Sequence, residues 1–350
     1  MKWNKIVLLT GYDRFFGQTR KPWVSMNVDR MLPILRQNGY EVEEYEFHQI
    51  ANRQVEIRNA VVLYTFSQRA NLRRYIQDIV RFLDEGSNLL LPSYDLLRCH
   101  ENKGYQELFR PKVGLERPRG YYFSSKREIR SYDLRYPLVL KAIEGSNAKG
   151  VSLVHNDAEL KQKIRSWEPG TGIWTRLGFF RRKYLRRKKY YAEYPDYNNR
   201  IDYSQYRDYI TPETGFILQE YVSELDHDYR ISVFGDRYYV VKRMTRENDF
   251  RASGAKRFIV DFQIDPEMLD FAKEVYSRFK TPWLSIDIAQ KNGQFYIFEY
   301  QALHFGINAI VKNRGFYRSE NGDWQFIPGI HPIEEEIADG LIKFLQRQEA

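Results

Sequence analysis

The first hundred residues alternate short apolar runs with amphipathic stretches. The apolar runs predict strands at residues 6–10, 41–47, 60–66 and 88–91. Helices are expected between them at 24–37 and 71–85, since apolar residues of the second stretch recur at helical spacing, at Leu72, Ile76, Ile79, Val80 and Leu83. This alternation of strands and helices predicts a small parallel α/β sheet.

The middle of the chain has a less regular pattern. We expect a helix at 101–109, a short buried strand at 136–140, and a helix at 157–167 with Asp157 as its N-cap. Residues 168–212 are polar, aromatic and basic with weak periodicity, which is typical of an insertion.

The last third is mostly strands. A strand is expected at 216–222, and the runs 228–234 and 237–243 predict a hairpin around Gly235-Asp236. Pairing across that turn sets Asp228 opposite Arg243 and Arg230 opposite Val241, so the three charged residues share one face. The pattern also predicts a helix at 266–279, a second hairpin joining 284–289 to 295–301, and a terminal helix at 333–345.

Composition narrows the class of protein. The 350 residues are 43% hydrophobic and include 27 Tyr and 22 Phe, which argues against disorder over most of the length. The longest apolar run is well short of the roughly 20 residues that span a bilayer. Cys99 is the only cysteine, so an intrachain disulfide is excluded, and we expect a small buried side chain there. The expected location is the cytoplasm.

The net charge of +9 is concentrated in one segment, 176–189. Its eight basic residues are Arg176, Arg181, Arg182, Lys183, Arg186, Arg187, Lys188 and Lys189. An acidic substrate or protein is the favoured partner of this segment, and nucleic acid is not the expected one. Anionic lipid and a solvated insertion without a partner are the alternatives.

The segment Lys141–Val151 follows the buried strand and is rich in glycine. Gly145 and Gly150 permit a tight turn with exposed backbone N–H groups, and Lys141 and Lys149 add positive charge. The combination is typical of a loop that closes over phosphates. It is not a P-loop, because Val151, which precedes Ser152, stands where the motif needs Lys.

Oxygen-bearing side chains in the second hairpin are candidate ligands for Mg²⁺, namely Asp287, Glu299 and Gln301. Strand alternation places Glu299 and Gln301 on one face. A two-residue turn at Asn292-Gly293 would put Asp287 opposite Phe298, on the wrong face. A three-residue loop with a bulge at Gly293 would put Asp287 opposite Ile297, so the metal hypothesis predicts that bulged turn.

Several motifs in order resemble the ATP-grasp superfamily, within it the branch of glutathione synthetase and the RimK-type ribosomal-protein glutamate ligases. The resemblance covers roughly residues 100–310. The matching stretches are Asn102-Lys103, Tyr136–Lys141, Glu144–Val151, Gln219–Val222, Asp228–Arg230, Asp249–Ser253, Asp287 and Glu299–Gln301. Each motif is weak by itself, whereas their shared order over two hundred residues is a strong signal.

The resemblance implies an α/β and α+β fold. An N-terminal Rossmann-like (pre-ATP-grasp) domain at 1–98 would precede a two-part ATP-grasp fold that holds ATP between two sheets rich in antiparallel strands. The first ATP-grasp subdomain would be 99–222, with the glycine-rich loop and a basic insertion at 176–209. The second would be 223–350, with the metal site.

The resemblance also implies an ATP-dependent ligase that forms an amide or related bond through an acyl phosphate and releases ADP and phosphate. The expected ligands are ATP, one or two Mg²⁺ ions (or Mn²⁺), a small-molecule or peptide carboxylate, and an amine or thiol acceptor. The residues implied to bind ATP are Lys103, Lys141, Ser146, Lys149, Gly150, Gln219, Glu220, Tyr221, Val222, Asp228 and Ser253. Arg230, Lys242 and Arg251 would hold the transferring phosphate or the acyl phosphate, and Asp287, Glu299 and Gln301 would carry the metal.

Three departures from the family pattern bear on function. Gln301 stands where the family has Asn, residues 302–306 replace the stretch that borders the acceptor, and the basic insertion is additional. These departures leave a second hypothesis open, a catalytically degenerate ATP-grasp-like protein that binds nucleotide and an anionic partner.

Overall fold

The structure is a computed structural model, and it describes most of the chain. The described residues are 3–17, 23–84, 87–145, 150–168, 170, 172–185, 198–211, 213–246, 249–252, 255, 257–260, 262–303 and 307–348. Contacts between residues divide the chain into two units. The larger unit comprises Met1–Gly120, Ile143–Gly150 and Val222–Ala350, and the smaller unit comprises Tyr121–Ala142 and Val151–Tyr221. The predicted three-domain division stays a prediction.

The larger unit begins with a parallel sheet, which confirms the predicted α/β pattern. Its strands are β1 Lys5–Thr10, β2 Glu41–Glu46, β3 Val61–Tyr64 and β4 Leu89–Leu91, in the order β2-β1-β3-β4. The accompanying helices are α1 Val28–Gln37, α2 Phe47–Ala51, α3 Ala70–Asp84 and α4 Tyr94–Cys99. Helix α1 begins later than predicted because the Asn27 side chain caps it, accepting a hydrogen bond from the Asp29 N–H.

The next helix of the chain, α5 Lys103–Phe109, belongs to the same unit. Asn102 caps it by accepting a hydrogen bond from the Tyr105 N–H. Cys99, just before it, is buried with its thiol 3.8 Å from the Tyr300 hydroxyl, and burial raises its pKa to about 12. The thiol is therefore protonated at neutral pH, as suits a buried structural cysteine.

The smaller unit contains a four-stranded sheet in the order β5-β8-β6-β7. Its strands are β5 Gly120–Phe123, β6 Leu138–Ala142, β7 Val151–Val154 and β8 Phe216–Glu220, and its helices are α6 Asp157–Trp167, α7 Ile173–Phe180 and α8 Asn199–Ile210. Asn156, and not Asp157, caps α6. The described part of the 168–212 segment is largely helical, and Arg182 stabilises it by pairing with Asp202 and stacking 3.8 Å from the Tyr206 ring centre.

The larger unit ends with a seven-stranded antiparallel sheet, called here the C-terminal sheet. Its strands are β9 His227–Phe234, β10 Arg237–Met244, β11 Phe258–Ile259, β12 Trp283–Lys291, β13 Gln294–Gln301, β14 Gly315–Glu320 and β15 Asp323–Pro328. They run in the order β13-β12-β9-β10-β14-β15, with β11 beside β10. The helices of this region are α9 Pro266–Arg278, α10 Asn308–Lys312 and α11 Ile333–Arg347.

The C-terminal sheet is covered by helices on both faces. On one face, Phe234, Tyr239 and Trp283 share a hydrophobic cluster with residues of α1 and α11. On the other face, Ile231, Val240 and Leu284 share a cluster with residues of α9. Polar side chains at one end of the first face therefore lie beside a rigid, well-packed core.

Candidate active site

The first group of candidate residues lies on the sheet of the smaller unit. Leu138, Leu140 and Leu218 face the core beneath α6, so alternation places Lys141 and Gln219 on the opposite face. The Lys141 ammonium donates to the Gln219 side-chain oxygen at 2.6 Å, and Gln219 is itself buried. A fixed cation therefore stands where the strand leads into the glycine-rich loop.

The glycine-rich loop follows β6 and belongs, from Ile143 onward, to the larger unit. Gly145 has a φ of +117° and Gly150 a φ of +69°, conformations that side chains with a Cβ rarely adopt. The Lys103 ammonium donates to the Gly145 carbonyl at 2.6 Å, and the Arg73 guanidinium lies 3.3 Å from the Glu144 carboxylate. Ser146 and Lys149 lie outside the described residues, as does Ser253.

Three further candidates for nucleotide contacts follow Gln219. Glu220 ends β8 with an exposed side chain, and Tyr221 and Val222, which follow it, are half-buried. The predicted adenine-binding stretch, residues 219–222, therefore comprises the last two residues of β8 and the two residues after it. Its role stays a prediction.

The second group forms a buried ionic network on the C-terminal sheet. The hairpin register is the predicted one, with Asp228 opposite Arg243 and Arg230 opposite Val241. Arg243 makes a bidentate pair with Asp228 at 2.6 and 2.7 Å and reaches the Asp287 carboxylate at 2.8 Å. Arg230 makes a second bidentate pair with Asp287, both distances being 2.8 Å. Two arginines and two aspartates therefore neutralise each other across three adjacent strands.

Burial and charge act in opposite directions on the two aspartates. Burial raises the pKa of Asp287, but the charges and hydrogen bonds of Arg230 and Arg243 outweigh it and lower that pKa to about 2. For Asp228, burial prevails over its pairing with Arg243, and its pKa is raised. Asp287 therefore remains ionised at neutral pH and holds the Arg230 side chain, which is 23% exposed, in one orientation.

The predicted turn between β12 and β13 is wrong. Lys291 pairs with Gln294, so the turn has two residues, with positive φ at Asn292 and Gly293. The bulge lies within the strand instead. Ile288 pairs with Ile297 and Asp287 with Glu299, so Phe298 is the extra residue. This bulge sets Asp287 opposite Glu299, and not opposite Ile297 as predicted, but it still places Asp287 on the same face as Glu299 and Gln301, as the metal hypothesis required.

The metal-ligand candidates fit an ion in part. Gln301 donates to the Glu299 carboxylate at 2.9 Å, so two oxygen-bearing groups lie side by side at the end of β13. They suit Mg²⁺, which is commonly held by one or two carboxylates and by substrate phosphates. Both Asp287 oxygens already accept hydrogen bonds from arginine. Among the described residues, no cluster of three His, Cys, Asp or Glu side chains is arranged to hold a metal.

Two predicted phosphate-binding residues lie apart from this network. Lys242 pairs with Tyr229 and stands on the face of β10 opposite to Arg243. Arg251 binds the Asp249 carboxylate through Nε at 2.9 Å, in a loop outside the sheet.

The prediction did include the Asp228–Arg243 pair, but it gave Arg243 no place in the site. The hairpin register indicated that Arg243 and Arg230 share a face. The sequence pattern did not indicate that Arg73 pairs with Glu144 at the start of the glycine-rich loop.

Comparison with known proteins rests on structure alone. No family model matches the sequence, and no curated protein matches it. D-cycloserine synthetase DcsG aligns with a TM-score of 0.52 and 11% identity over 97% of this chain and 99% of that one. The macrocyclase MdnC bound with precursor peptide MdnA from Microcystis aeruginosa MRC aligns with a TM-score of 0.50 and 10% identity over 97% and 99%.

A RimK domain ATP-grasp protein from Sphaerobacter thermophilus DSM 20745 aligns over 98% of this chain and 99% of that one, with 11% identity and a TM-score of 0.48. The likeness to D-cycloserine synthetase DcsG and to the macrocyclase MdnC shows that the chain has the predicted fold, whereas its membership of the ATP-grasp superfamily stays a prediction. The narrower branch stays a prediction. Within the described residues, no helix is both long and apolar enough to cross a bilayer.

Proposed function

We propose that the protein is an ATP-dependent ligase that joins a carboxylate to an amine or thiol. A carboxylate oxygen attacks the γ-phosphorus of ATP, the bond to the β-phosphate oxygen breaks, and an acyl phosphate and ADP result. The acceptor then attacks the acyl carbon, loses a proton and displaces phosphate. Such chemistry depends on positioning and on neutralising charge.

The observation that carries the proposal is the orientation of Arg230. Its guanidinium is fixed by the buried Asp287 carboxylate yet remains partly exposed, and Glu299 lies directly across from Asp287. A partly exposed cation beside oxygen ligands suits a phosphate that carries a metal ion. Arg230 would hold the transferring phosphoryl group, while Asp287 would keep the guanidinium in place.

The remaining residues divide the binding of ATP between them. Lys103, Lys141 and Lys149 would contact the phosphates, and the backbone from Ser146 to Gly150 would cover them. Residues 219–222 would bind adenine, Asp228 the ribose, and Ser253 and Arg251 the phosphate region. Lys242 is left out of this assignment, because it stands on the face of β10 opposite to Arg243. A Mg²⁺ ion held by Glu299 and Gln301, with Asp287 as the remaining predicted ligand, would supply charge neutralisation at the phosphates.

The direct test is a screen for ADP release with amino acids, peptides and sugar acids as substrates, with products identified by mass spectrometry. With the active carboxylate labelled by ¹⁸O, one labelled oxygen must appear in the released phosphate, because the acyl phosphate carries it there. Added hydroxylamine should trap that intermediate as a hydroxamate. Release of ADP without transfer of label would contradict an acyl phosphate.

Lys141→Ala is expected to weaken ATP binding by about tenfold or more, because it removes a charged hydrogen-bond donor at the phosphate loop. Equilibrium titration with ATP and Mg²⁺ measures the change. Lys161→Ala is the matched control, since Lys161 lies in the same unit and pairs with Asp157 on an exposed helix surface. Equal affinity of the two variants would remove Lys141 from the site.

One observation favours the second candidate function, a nucleotide-binding protein of this fold without ligase activity. Both oxygens of Asp287 are engaged by arginine, which competes with a role as metal ligand. In that case Asp287→Asn and Glu299→Gln should each leave ATP affinity with Mg²⁺ within about twofold of the original, and no substrate should elicit ADP. Under the ligase proposal both variants lower the rate of ADP release.

A further inference from the structure

The parallel N-terminal sheet carries a pocket that the proposed ATP site does not use. It encloses about 550 Å³, within the range of small-molecule sites. Residues that directly follow three strands line it, Gly11 and Tyr12 after β1, Phe47 after β2 and Thr65 after β3. Since β2 and β3 lie on opposite sides of β1, the loops diverge here, and ligands of open α/β sheets bind at such a point.

The walls of this N-terminal pocket are mainly apolar and aromatic. Phe15, Phe47, Phe66, Leu72, Tyr75 and Ile76 line it, and the exposed Trp23 lies at its edge. The loop after β1 is tied to β3, because the Gly17 N–H donates to the Thr65 hydroxyl at 2.6 Å. The described walls of the pocket therefore suit a large apolar group.

Two opposite charges also line the pocket, Asp13 and Arg69. Within the described residues neither has an ion-pair partner, although the Arg69 guanidinium lies 3.4 Å from the Tyr12 hydroxyl. Arg14 does not neutralise Asp13, because Asp29 and Glu44 bind its guanidinium. One carboxylate and one guanidinium match the ammonium and the carboxylate of an amino acid.

A hydrophobic cluster that includes three residues of the pocket wall also contacts the chain just beyond β13. Leu303, two residues beyond Gln301, packs against the hydrophobic cluster that includes Phe47, Phe66 and Ile76. Gln301, a proposed metal ligand, is therefore two residues away in sequence from a side chain that packs on this cluster.

We propose that the N-terminal pocket binds an α-amino acid with a large apolar side chain, recognised by the aromatic walls, by Asp13 and by Arg69. That this amino acid is a substrate rests on the proposed ligase function, whereas its binding depends on the pocket alone. The two are separable, because binding is measured without ATP.

The test is calorimetric titration of the full-length protein with L-phenylalanine, L-leucine, glycine and L-glutamate in the absence of nucleotide. Phenylalanine should bind about tenfold or more tightly than glycine, because its ring leaves water on binding. Glutamate should bind no more tightly than glycine. Failure of phenylalanine to bind, or tighter binding of glutamate than of phenylalanine, would overturn the proposal.

Leu72→Trp should fill the pocket and weaken phenylalanine binding by about tenfold or more. Phe82→Trp is the matched control, because Phe82 lies on the same helix, is 70% exposed and does not line the pocket. Circular dichroism verifies that both variants fold. We expect Leu72→Trp to fold because Leu72 is only half-buried. Unchanged affinity in a folded Leu72→Trp variant would place the ligand elsewhere.

L-phenylalaninamide tests the contact with the carboxylate. It should bind more weakly than phenylalanine, and Arg69→Gln should weaken phenylalanine but leave phenylalaninamide unchanged. An equal effect on both ligands would contradict recognition by Arg69. Lys141→Ala should leave phenylalanine binding intact. If the unaltered protein binds phenylalanine but releases ADP with none of the substrates in the screen, the ligase function is contradicted and the pocket is not.

Discussion

Arg230→Ala is expected to lower the rate of ADP release by about 100- to 1,000-fold, the usual cost of removing a fixed cation from a transition state that develops charge. Arg230 is suited to this role because Asp287 holds its guanidinium through two 2.8 Å hydrogen bonds while part of the side chain remains exposed. The measurement is the initial rate of ADP release at saturating ATP with the substrate found in the screen. Affinity for ATP should fall much less, since Arg230 acts mainly after binding.

Two variants control this result. Arg230→Lys keeps the charge but loses the bidentate pair, so its rate should lie between those of the original protein and Arg230→Ala. Arg58→Ala removes an arginine that is 73% exposed and paired with Glu56, and its rate should be unchanged. Thermal unfolding of each variant separates lost chemistry from lost structure. A rate within about threefold of the original in a folded Arg230→Ala variant would contradict the role of Arg230 in phosphoryl transfer.

Local patterns were sufficient to predict much of the fold. The alternating strands and helices of the first hundred residues predicted the parallel sheet, and the Gly235-Asp236 turn predicted the pairing of Asp228 with Arg243. Turn chemistry and side-chain alternation depend on a few neighbouring residues, so sequence reveals them. The helices of the described 173–210 region were missed, because weak amphipathicity leaves their stability to contacts such as that of Arg182 with Asp202.

The candidate site was harder to predict, because it depends on which strands are neighbours. The sequence placed Asp228 and Arg243 together within one hairpin, but only the position of β12 beside β9 brings Asp287 to Arg230. The bulge at Phe298 likewise has no local signal, since the Asn292-Gly293 turn predicts an undisturbed ladder. The roles of Asp228 and Asp287 in ion pairs follow from these long-range contacts.

Glu336→Ala is expected to lower the free energy of unfolding by about 3–5 kcal/mol, the cost of breaking a buried ion pair by removing one partner. Glu336 is fully buried, and one of its oxygens accepts hydrogen bonds from Arg237 and from the Tyr239 hydroxyl, both at 2.8 Å. Alanine would leave the largely buried Arg237 with only Asp339 and would leave the Tyr239 hydroxyl unpaired.

Denaturant unfolding, monitored by circular dichroism, measures this loss in the free energy of unfolding. Glu336→Gln should lose less than Glu336→Ala, because its amide oxygen can still accept from Arg237 and Tyr239. Glu335→Ala is the matched control on the neighbouring residue of α11. The Glu335 side chain is 40% exposed and lies 3.8 Å from His331, so we expect a change below about 1 kcal/mol. Equal losses for Glu335→Ala and Glu336→Ala would mean that the buried pair does not anchor α11 to β10. Apolar packing alone would then hold this helix against the sheet whose opposite end carries Arg230 and Asp287.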